Sequence, residues 1–314
     1  MTSISSRTGW IAAGLALMVA GCGGGSVPPP DRVQIAFTSN RSGNAEIYLM
    51  ETDGTTVRRL TFDDDLDFQP SLTPDRRYVV FTRKANGVHQ IWRIGTDGRG
   101  LKRLTPQVGL NADPAVSPDG FRIAFVSDRD GFDEIHVMDI DGRNVRQLTF
   151  DRAPKQTPAW SPDGASIAYA APAVPNGDAE IYTVRATDGA DRYQLTNNDW
   201  TDDSPAWSPD GTRIAFASDR DGDFDLFTID AWDGSGLRKV VGLAGDDGNP
   251  VYSLGGTWLY FDNNLGGIAE ILRYRWSDGS TESLTAFTAG SSTNPDTRAT
   301  APSRPSLKGP RRLR

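Results

Sequence analysis

The sequence has little cysteine, little histidine and no long hydrophobic run. Cys22 is the single cysteine in 314 residues, so disulfide bonds cannot staple a small-core fold. The two histidines, His89 and His136, are far apart in the chain and lack the spacing of a metal-binding motif. The longest apolar run, near the N-terminus, is too short to span a bilayer as a lasting helix. Disulfide-rich and polytopic membrane classes are therefore excluded.

The chain is acidic overall and rich in residues that form turns. Its formal net charge is −8, and acidic residues concentrate between residues 31 and 290, while the last residues are basic. Such an acidic body argues against nucleic-acid binding, which needs a basic face. With 33 glycines and 20 prolines, the composition favours an all-β, turn-dense domain over a helical one.

The N-terminus has the features of a secretory signal followed by a tether. Residues 1–21 carry one cation, Arg7, before the apolar run WIAAGLALMVA. The run ends in VAGC, which resembles the lipobox of bacterial lipoproteins and predicts lipid attachment at Cys22; the alternative is an ordinary signal peptide with a chance cysteine. Residues 22–30, rich in glycine and proline, form the predicted tether. Gly23 is not the aspartate that retains enteric lipoproteins at the inner membrane, so we expect the outer membrane, facing the periplasm.

Three short motifs recur in one phase along the chain. Asp-Gly pairs return at intervals of about 45 residues, with their glycines at Gly54, Gly98, Gly142, Gly189, Gly234 and Gly279. A proline marker keeps the same phase, at Pro70, Pro114, Pro158, Pro205 and Pro250. The tetrapeptide SPDG begins at Ser117, Ser161 and Ser208. We infer six copies of one structural unit.

Each unit contains four short predicted strands, A to D. SPDG is a tight-turn sequence that joins strands A and B, SDRDG reverses the chain into strand C, and the Asp-Gly pair returns it to strand D. Strand B is apolar at three successive residues in every copy, as at 35–37 and 214–216. A strand that is apolar on both faces must be covered on both. Radially packed, four-stranded antiparallel blades provide that cover, so the sequence predicts an all-β, six-bladed β-propeller over residues 31–300.

The repeat also resembles a known family. The pattern PAWSPDG, IAFxSDRDG, DIYxM, DG, LT is similar to the propeller of TolB and its relatives, over about residues 30–300. The resemblance implies the six-bladed fold and a role in docking envelope proteins or peptides. TolB carries an α/β domain before its propeller, whereas here only the tether is expected between Cys22 and the first blade. A role that depends on that domain is therefore not implied.

The two ends of the ring are expected to meet in blade 1. The residues before its strand B make a poor strand A, and one repeat length beyond Pro250 lies Pro295, within SSTNPDTRAT. We therefore predict that a C-terminal strand around Pro295 closes the ring, which removes exposed sheet edges. The remaining residues, 301–314, are basic, contain prolines and lack apolar periodicity, and we predict that they are disordered.

The loops that join strand D of one blade to strand A of the next are acidic, and their ends are expected to rim the central channel. The candidate ligand-binding residues are Asp67, Asn111, Asp113, Asp202, Asp247 and Asn249. The alternative for each residue is an Asx turn that satisfies loop N–H groups. Oxygen ligands of this kind suit calcium, although the sequence has no linear calcium-binding loop. We therefore expect no cofactor, with calcium as the alternative.

Other recurring polar residues are expected to be architectural. The SDRDG turns place Arg129 and Arg220 where each is expected to pair with the acid that begins strand C. That acid recurs from blade to blade, whereas a catalytic set is needed only once. His136 occupies an aromatic position of strand C and is expected to pack within its blade, while His89 is a lone imidazole with weak support for metal or acid–base chemistry.

The motifs and charge together favour binding over catalysis. No serine-nucleophile elbow, zinc-protease motif or phosphate loop is present in the sequence. We therefore expect a non-catalytic, lipid-anchored, monomeric envelope propeller that binds an envelope protein or basic peptide at its acidic channel mouth. Two alternatives are a lyase-type enzyme, since some propellers with this repeat act on acidic sugars, and a purely structural envelope component. The acidic face and the dispersed histidines argue against the enzyme.

Overall fold

The structure is a computed structural model that describes residues 15–16, 34–174, 177–265 and 268–285. Within these ranges the chain forms six antiparallel sheets of four strands each. No helix in the same ranges is long and apolar enough to cross a membrane. Apart from Leu15–Ala16, the predicted signal peptide and tether fall outside the described residues, as does the predicted basic tail.

The strands of the described residues follow one another blade by blade. Blades 1 and 2 contain β1 (Leu15–Ala16), β2 (Gln34–Ser39), β3 (Glu46–Glu51), β4 (Arg58–Arg59), β5 (Leu66–Leu72), β6 (Tyr78–Ala85), β7 (Val88–Gly95) and β8 (Lys102–Arg103). Blades 3 and 4 contain β9 (Asn111–Val116), β10 (Arg122–Ser127), β11 (Glu134–Asp139), β12 (Arg146–Gln147), β13 (Gln156–Trp160), β14 (Ser166–Pro172), β15 (Ala179–Arg185) and β16 (Tyr193–Gln194). Blades 5 and 6 contain β17 (Asp202–Trp207), β18 (Arg213–Ser218), β19 (Asp225–Asp230), β20 (Arg238–Val241), β21 (Asp246–Tyr252), β22 (Trp258–Leu265), β23 (Ile268–Arg275) and β24 (Thr281–Ser283).

Each blade is a four-stranded meander whose strands lie side by side in chain order. In blade 5, for example, Ile214 pairs with Trp207 on one side and with Ile229 on the other. The first strand of blades 2 to 6 lines the central channel, so strand A is innermost and strand D outermost. The predicted six-bladed propeller of antiparallel blades is confirmed.

The core lies between blades, because strand B is apolar on both faces. Ile35 and Phe37 join a cluster shared with blade 6, whereas Ala36, which points the other way, joins the cluster shared with blade 2. Six clusters of this kind, one for each blade interface, make up the core of the described residues. Burying each large aliphatic side chain stabilises the fold by about 1.5–3 kcal/mol.

Blades 6 and 1 meet through the same type of packing. Tyr260 and Ile271 of blade 6 lie in one cluster with Phe37 of blade 1. Arg273 Nη1 adds a hydrogen bond to the Thr52 carbonyl at 3.0 Å. Blades 6 and 1 are therefore joined by side-chain packing and a side-chain hydrogen bond.

The innermost strand of blade 1 differs from the sequence prediction. Strand β1 occupies this position, where Leu15 pairs with Phe37 and Ala16 with Ala36. A part of the N-terminal apolar run thus lies where we predicted a C-terminal strand, and the segment around Pro295 falls outside the described residues. The physical reason is that the inner edge of β2 offers unpaired backbone N–H and C=O groups, which an extended apolar segment can satisfy.

Candidate functional site

Strand A of blades 2 to 6 carries a β-bulge at its proline. In these five strands the residue before proline has a positive φ between 47° and 54°, and the pairing with strand B shifts register at this point. Proline disfavours the right-handed helical conformation for the residue before it, and its missing N–H suits an interrupted ladder. We call these five residues the channel ring: Gln69, Asp113, Thr157, Ser204 and Asn249.

Side-chain hydrogen bonds link the channel ring from blade to blade. Gln69 Nε2 donates to Asp113 Oδ1, and Asp113 Oδ2 accepts from the backbone N–H of Thr157 at 3.4 Å. Ser204 Oγ donates to Asn249 Oδ1 at 3.2 Å. Neighbouring blades are therefore joined at the channel wall by polar contacts as well as by the apolar clusters behind them.

Three carboxylates, which we call the channel carboxylates, lie on or beside this ring: Asp113, Asp203 and Asp262. The donors that bond them are neutral: Thr157 Oγ1 donates to Asp203 at 2.9 Å, and Asn249 Nδ2 donates to both oxygens of Asp262 at 3.2 and 3.1 Å. Desolvation raises the pKa of Asp113 to about 6, and the neighbouring Asp203 adds to the shift. Desolvation likewise raises the pKa of Asp262 to about 7. The channel wall thus carries negative charge that is costly to maintain.

Four of the six predicted site residues lie inside the blades rather than on the channel ring. They are Asp67, Asn111, Asp202 and Asp247, and each is 0% exposed. Arg83 holds Asp67 through two bonds of 2.7 and 2.6 Å, Arg220 pairs with Asp202 at 2.9 Å, and Asn263 donates to Asp247 at 2.8 Å. Blade 4 has the fully buried Lys155 at this position. The other two predicted residues, Asp113 and Asn249, belong to the channel ring.

The arginines of the SDRDG turns pair with strand A, not with the acid that begins strand C. Arg129 Nη2 donates to Asn111 Oδ1 at 2.6 Å, and Arg220 makes the corresponding contact in blade 5. The acid is held instead by the threonine after strand D, as Thr149 Oγ1 donates to Glu134 in blade 3. The expected pairing was wrong, because an arginine just beyond strand B folds back beside the start of strand A.

On the side of the SPDG turns, the channel widens into a cavity of about 250 Å³. The five marker prolines line it, together with the aromatic side chains of Trp160, Trp207 and Tyr252. Trp160 Nε1 donates to the Ala115 carbonyl at 2.9 Å, which links blade 4 to blade 3. We call this half of the channel the apolar vestibule, since the opposite half carries the polar loops between strands D and A.

The two histidines contact aromatic rings. His136 is 1% exposed and stacks against Phe125 with ring centroids 5.7 Å apart, as predicted for a packing residue, and burial lowers its pKa. His89 meets the edge of Phe68 at 5.6 Å. Within the described residues, no group of three or more His, Cys, Asp or Glu side chains is placed to hold a metal ion.

Sequence reasoning missed three members of the channel ring: Gln69, Thr157 and Ser204. A signal for them was available, because each stands immediately before a marker proline. It also missed Asp203 and Asp262. The side chain of Asp262 comes from strand B, so only the observed pairing of β22 with β21 brings it beside Asn249.

Six four-stranded blades surround a channel that is polar at one end and apolar at the other, and together they define a six-bladed β-propeller with a central cavity. A family model described as the TolB beta propeller domain matches residues 132–301. The chain belongs to this family. A comparison with curated proteins gave no match.

Solved structures with a similar fold include both TolB proteins and enzymes. A putative TolB from Agrobacterium tumefaciens is 21% identical, with a TM-score of 0.63 over 73% of this chain and 84% of that one. TolB from Acinetobacter baumannii is 21% identical, with a TM-score of 0.68 over 79% of this chain, which spans 62% of that protein. An oligogalacturonate lyase from Vibrio parahaemolyticus is 14% identical, with a TM-score of 0.57 over 85% of this chain and 77% of that one. At these identities the likeness shows the fold alone.

Proposed function

We propose that this chain is a non-catalytic propeller of the bacterial envelope that binds a protein or peptide partner through basic residues at the acidic end of its channel. The observation that supports this best is the set of channel carboxylates, whose bonding donors are neutral. A cationic side chain placed among them would offset the desolvation that raises the pKa values of Asp113 and Asp262.

The loops around this end of the channel add exposed acidic residues. Four of them, from four different loops, are Asp64, Asp130, Asp199 and Asp221. Their combined field attracts cations and speeds encounter with a basic partner, and salt weakens it. The acidic face therefore supports a positively charged ligand that enters the channel from this end.

A polypeptide suits the channel better than a small ion. The polar channel ring leads directly into the apolar vestibule, where Trp160 and Trp207 stand among prolines. A peptide can present a charged group to the first and an apolar or proline-containing stretch to the second, as aromatic-lined grooves bind extended peptides. The two halves of the channel would then hold one continuous segment.

A carbohydrate-directed enzyme is the second candidate function, because oligogalacturonate lyase shares the fold. An acidic sugar would have to approach the carboxylates of Asp113 and Asp262 without a basic residue among their bonded partners. Like charges in a partly desolvated channel repel strongly. We therefore favour partner binding over this alternative.

We further propose that the propeller is a monomer tethered by a lipid on Cys22, in the outer membrane and facing the periplasm. The support is the VAGC sequence at the end of the apolar run and the glycine- and proline-rich residues 22–30. Cys22 itself lies outside the described residues, and the cleavage before Cys22 that lipid attachment requires would remove β1 from the inner edge of β2 in the mature protein.

Binding of a defined basic peptide tests the function. A fluorescent decapeptide of alternating lysine and serine, and its glutamate counterpart, are titrated into the wild type and into a variant with Asp113→Asn and Asp262→Asn. We expect only the lysine peptide to bind the wild type, and high salt to weaken that binding. The variant should bind roughly tenfold more weakly or worse, because it lacks two of the negative charges that a bound cation would offset.

The matched control removes two charges from the opposite face, by Asp97→Asn and Asp233→Asn. Both aspartates are exposed in Asp-Gly turns, and asparagine can still accept the N–H groups of Arg99 and Ser235. The proposal would be contradicted if this control lost as much binding as the channel variant. It would also be contradicted if binding did not depend on salt and the channel variant retained it in full. Unfolding curves of the variants show whether all remain folded.

A further inference from the structure

Blade 3 carries a second cavity on the acidic face, away from the channel. It has a volume of about 310 Å³ and is lined by Asp130, Phe132, Glu134, Gln147, Phe150 and Arg152. The two phenylalanines, Phe132 and Phe150, are 44% and 68% exposed. The cavity therefore combines aromatic walls with carboxylates.

Blade 1 shows which group fits between such walls. Arg59 of strand β4 pairs with Glu46 at 2.6 Å, and its guanidinium lies 4.8 Å from the ring centre of Phe62. Arg59 Nε donates to the carbonyl of Thr61. The guanidinium is thus held between Glu46, which begins strand C, and Phe62, which follows the Leu-Thr pair. This is the geometry of combined ion-pair and cation–π contacts.

Blade 3 repeats this arrangement with a glutamine, Gln147, in place of the strand-D arginine. Gln147 pairs with His136 in the same register in which Arg59 pairs with Tyr48. Gln147 Nε2 donates to the Thr149 carbonyl at 2.6 Å and so replaces only the Nε contact of the arginine. The neutral and shorter glutamine does not reach the place of the terminal guanidinium nitrogens, and the cavity occupies that place.

The two carboxylates that line the cavity, Glu134 and Asp130, have different environments. Glu134 is already compensated from within by Lys155, at 3.1 Å, whereas the Asp130 side chain at the rim is 61% exposed. Arg152 projects over the outer wall, with its guanidinium 5.5 Å from the ring centre of Phe132. Phe132 thus already stacks on the guanidinium of Arg152, and Phe150 offers a second aromatic face.

We propose that this cavity is a subsite for an arginine side chain of the partner polypeptide, with Phe150 stacking on the guanidinium and Asp130 pairing with it. The proposal rests on the proposed function, since it assigns one basic residue of the partner to a defined place on the acidic face.

The test uses the tripeptide acetyl-Gly-Arg-Gly-amide, with citrulline or lysine in place of arginine as neutral and non-planar comparisons. Binding to the isotope-labelled protein is followed by NMR shifts of the residues around Phe150. Gln147→Arg should fill the cavity from within, as Arg59 does in blade 1, and weaken binding roughly tenfold or more without loss of thermal stability. Phe150→Ala should weaken it to a similar extent.

The control is Gln194→Arg in blade 4. Gln194 has the same register, opposite Tyr182, but Asn197 stands there in place of the phenylalanine, so tripeptide binding should not change. Equal binding of the citrulline or lysine tripeptide, or full binding by Gln147→Arg, would overturn the subsite. The channel variant with Asp113→Asn and Asp262→Asn should keep tripeptide binding, so failure of the subsite and failure of the channel proposal give different results.

Discussion

At the scale of single residues, strand A carries carboxylates at two positions, two residues apart in the repeat. The environments of these two positions differ. Asp202 is paired with Arg220 inside blade 5, whereas Asp113 of blade 3, two residues further along its own strand, bonds only neutral groups at the channel wall. The first kind of carboxylate has a cationic partner within its blade, and the second has only neutral partners. Residue type alone does not distinguish them.

The sequence located the acidic end of strand A but only two of the five channel-ring residues, Asp113 and Asn249. Simple alternation along a strand puts Asp67 and Gln69 on the same face, yet only Gln69 bonds across to the next blade. The β-bulge before Pro70 changes the direction of the side chains, and a bulge adds a residue that a two-residue period does not reveal. The recurrence of a polar residue before proline was the available clue.

The channel carboxylates make stability depend on pH. A carboxyl whose pKa is higher in the folded than in the unfolded protein stabilises the fold while protonated, and this stabilisation is lost as the pH rises through the folded pKa. For Asp113 and Asp262 that loss falls between about pH 4 and 7, from the ordinary carboxyl pKa up to the folded pKa values of about 6 and about 7. We expect the free energy of unfolding to fall over this range.

A comparison of the wild type with a variant that lacks both carboxyls isolates this effect. Urea unfolding at pH 5 and pH 8 should show a smaller change for the variant with Asp113→Asn and Asp262→Asn than for the wild type, because other titrating groups such as His136 act equally in both. The same pH dependence in the two proteins would show that these carboxyls keep ordinary pKa values.

At the scale of elements, strand B and the Asp-Gly turns were the most predictable parts. Three successive apolar residues required cover on both faces, and the six inter-blade clusters provide it. The innermost strand of blade 1 was not predictable, because a backbone edge accepts extended segments with little regard to sequence. The repeat pattern therefore predicted the blades better than it predicted which end of the chain supplies the innermost strand of blade 1.

The Asp-Gly turns also contact the preceding blade. A methyl group added at Gly142 would collide with the carbonyl of Leu104, at the end of blade 2, whereas one added at Gly98 would meet no atom within 4 Å. Both glycines have positive φ, 92° and 81°, so alanine strains the backbone equally at each. The two positions differ chiefly in the contact between blades.

We predict that Gly98→Ala costs about 1 kcal/mol of stability, from the left-handed backbone alone. Gly142→Ala should cost at least about 1 kcal/mol more, because backbone atoms of Leu104 cannot move aside. Denaturant unfolding of the two variants measures the difference. Equal destabilisation would mean that the turn of blade 3 does not pack closely against blade 2.

At the scale of the whole molecule, the propeller gathers loops from separate blades around one axis. No single blade contains the channel carboxylates, since Asp113, Asp203 and Asp262 come from blades 3, 5 and 6. The sequence predicted the ring and its acidic face from repeats and charge. It did not predict the apolar vestibule or the cavity of blade 3, because these depend on how neighbouring side chains meet.

The position of the molecule in the cell depends on its N-terminus. If Cys22 carries a lipid, Cys22→Ser should move the protein from the membrane to the soluble fraction of the envelope and remove the acyl mass from the N-terminal peptide. Fractionation and mass spectrometry of natively expressed protein check both. An unmodified cysteine in the wild type, with unchanged membrane association of the variant, would exclude the lipid anchor.

Photocrosslinking in the native envelope tests the central claim, that a basic polypeptide binds at the acidic end of the channel. Benzoylphenylalanine replaces either Trp200, in the acidic loop before strand A of blade 5, or Trp232, in a strand C-to-D turn on the other face; both tryptophans are exposed. We expect adducts with a basic polypeptide from position 200 only, and their loss when Asp113→Asn and Asp262→Asn are added. Adducts of equal yield from position 232, or adducts at position 200 that survive those substitutions, would contradict the claim.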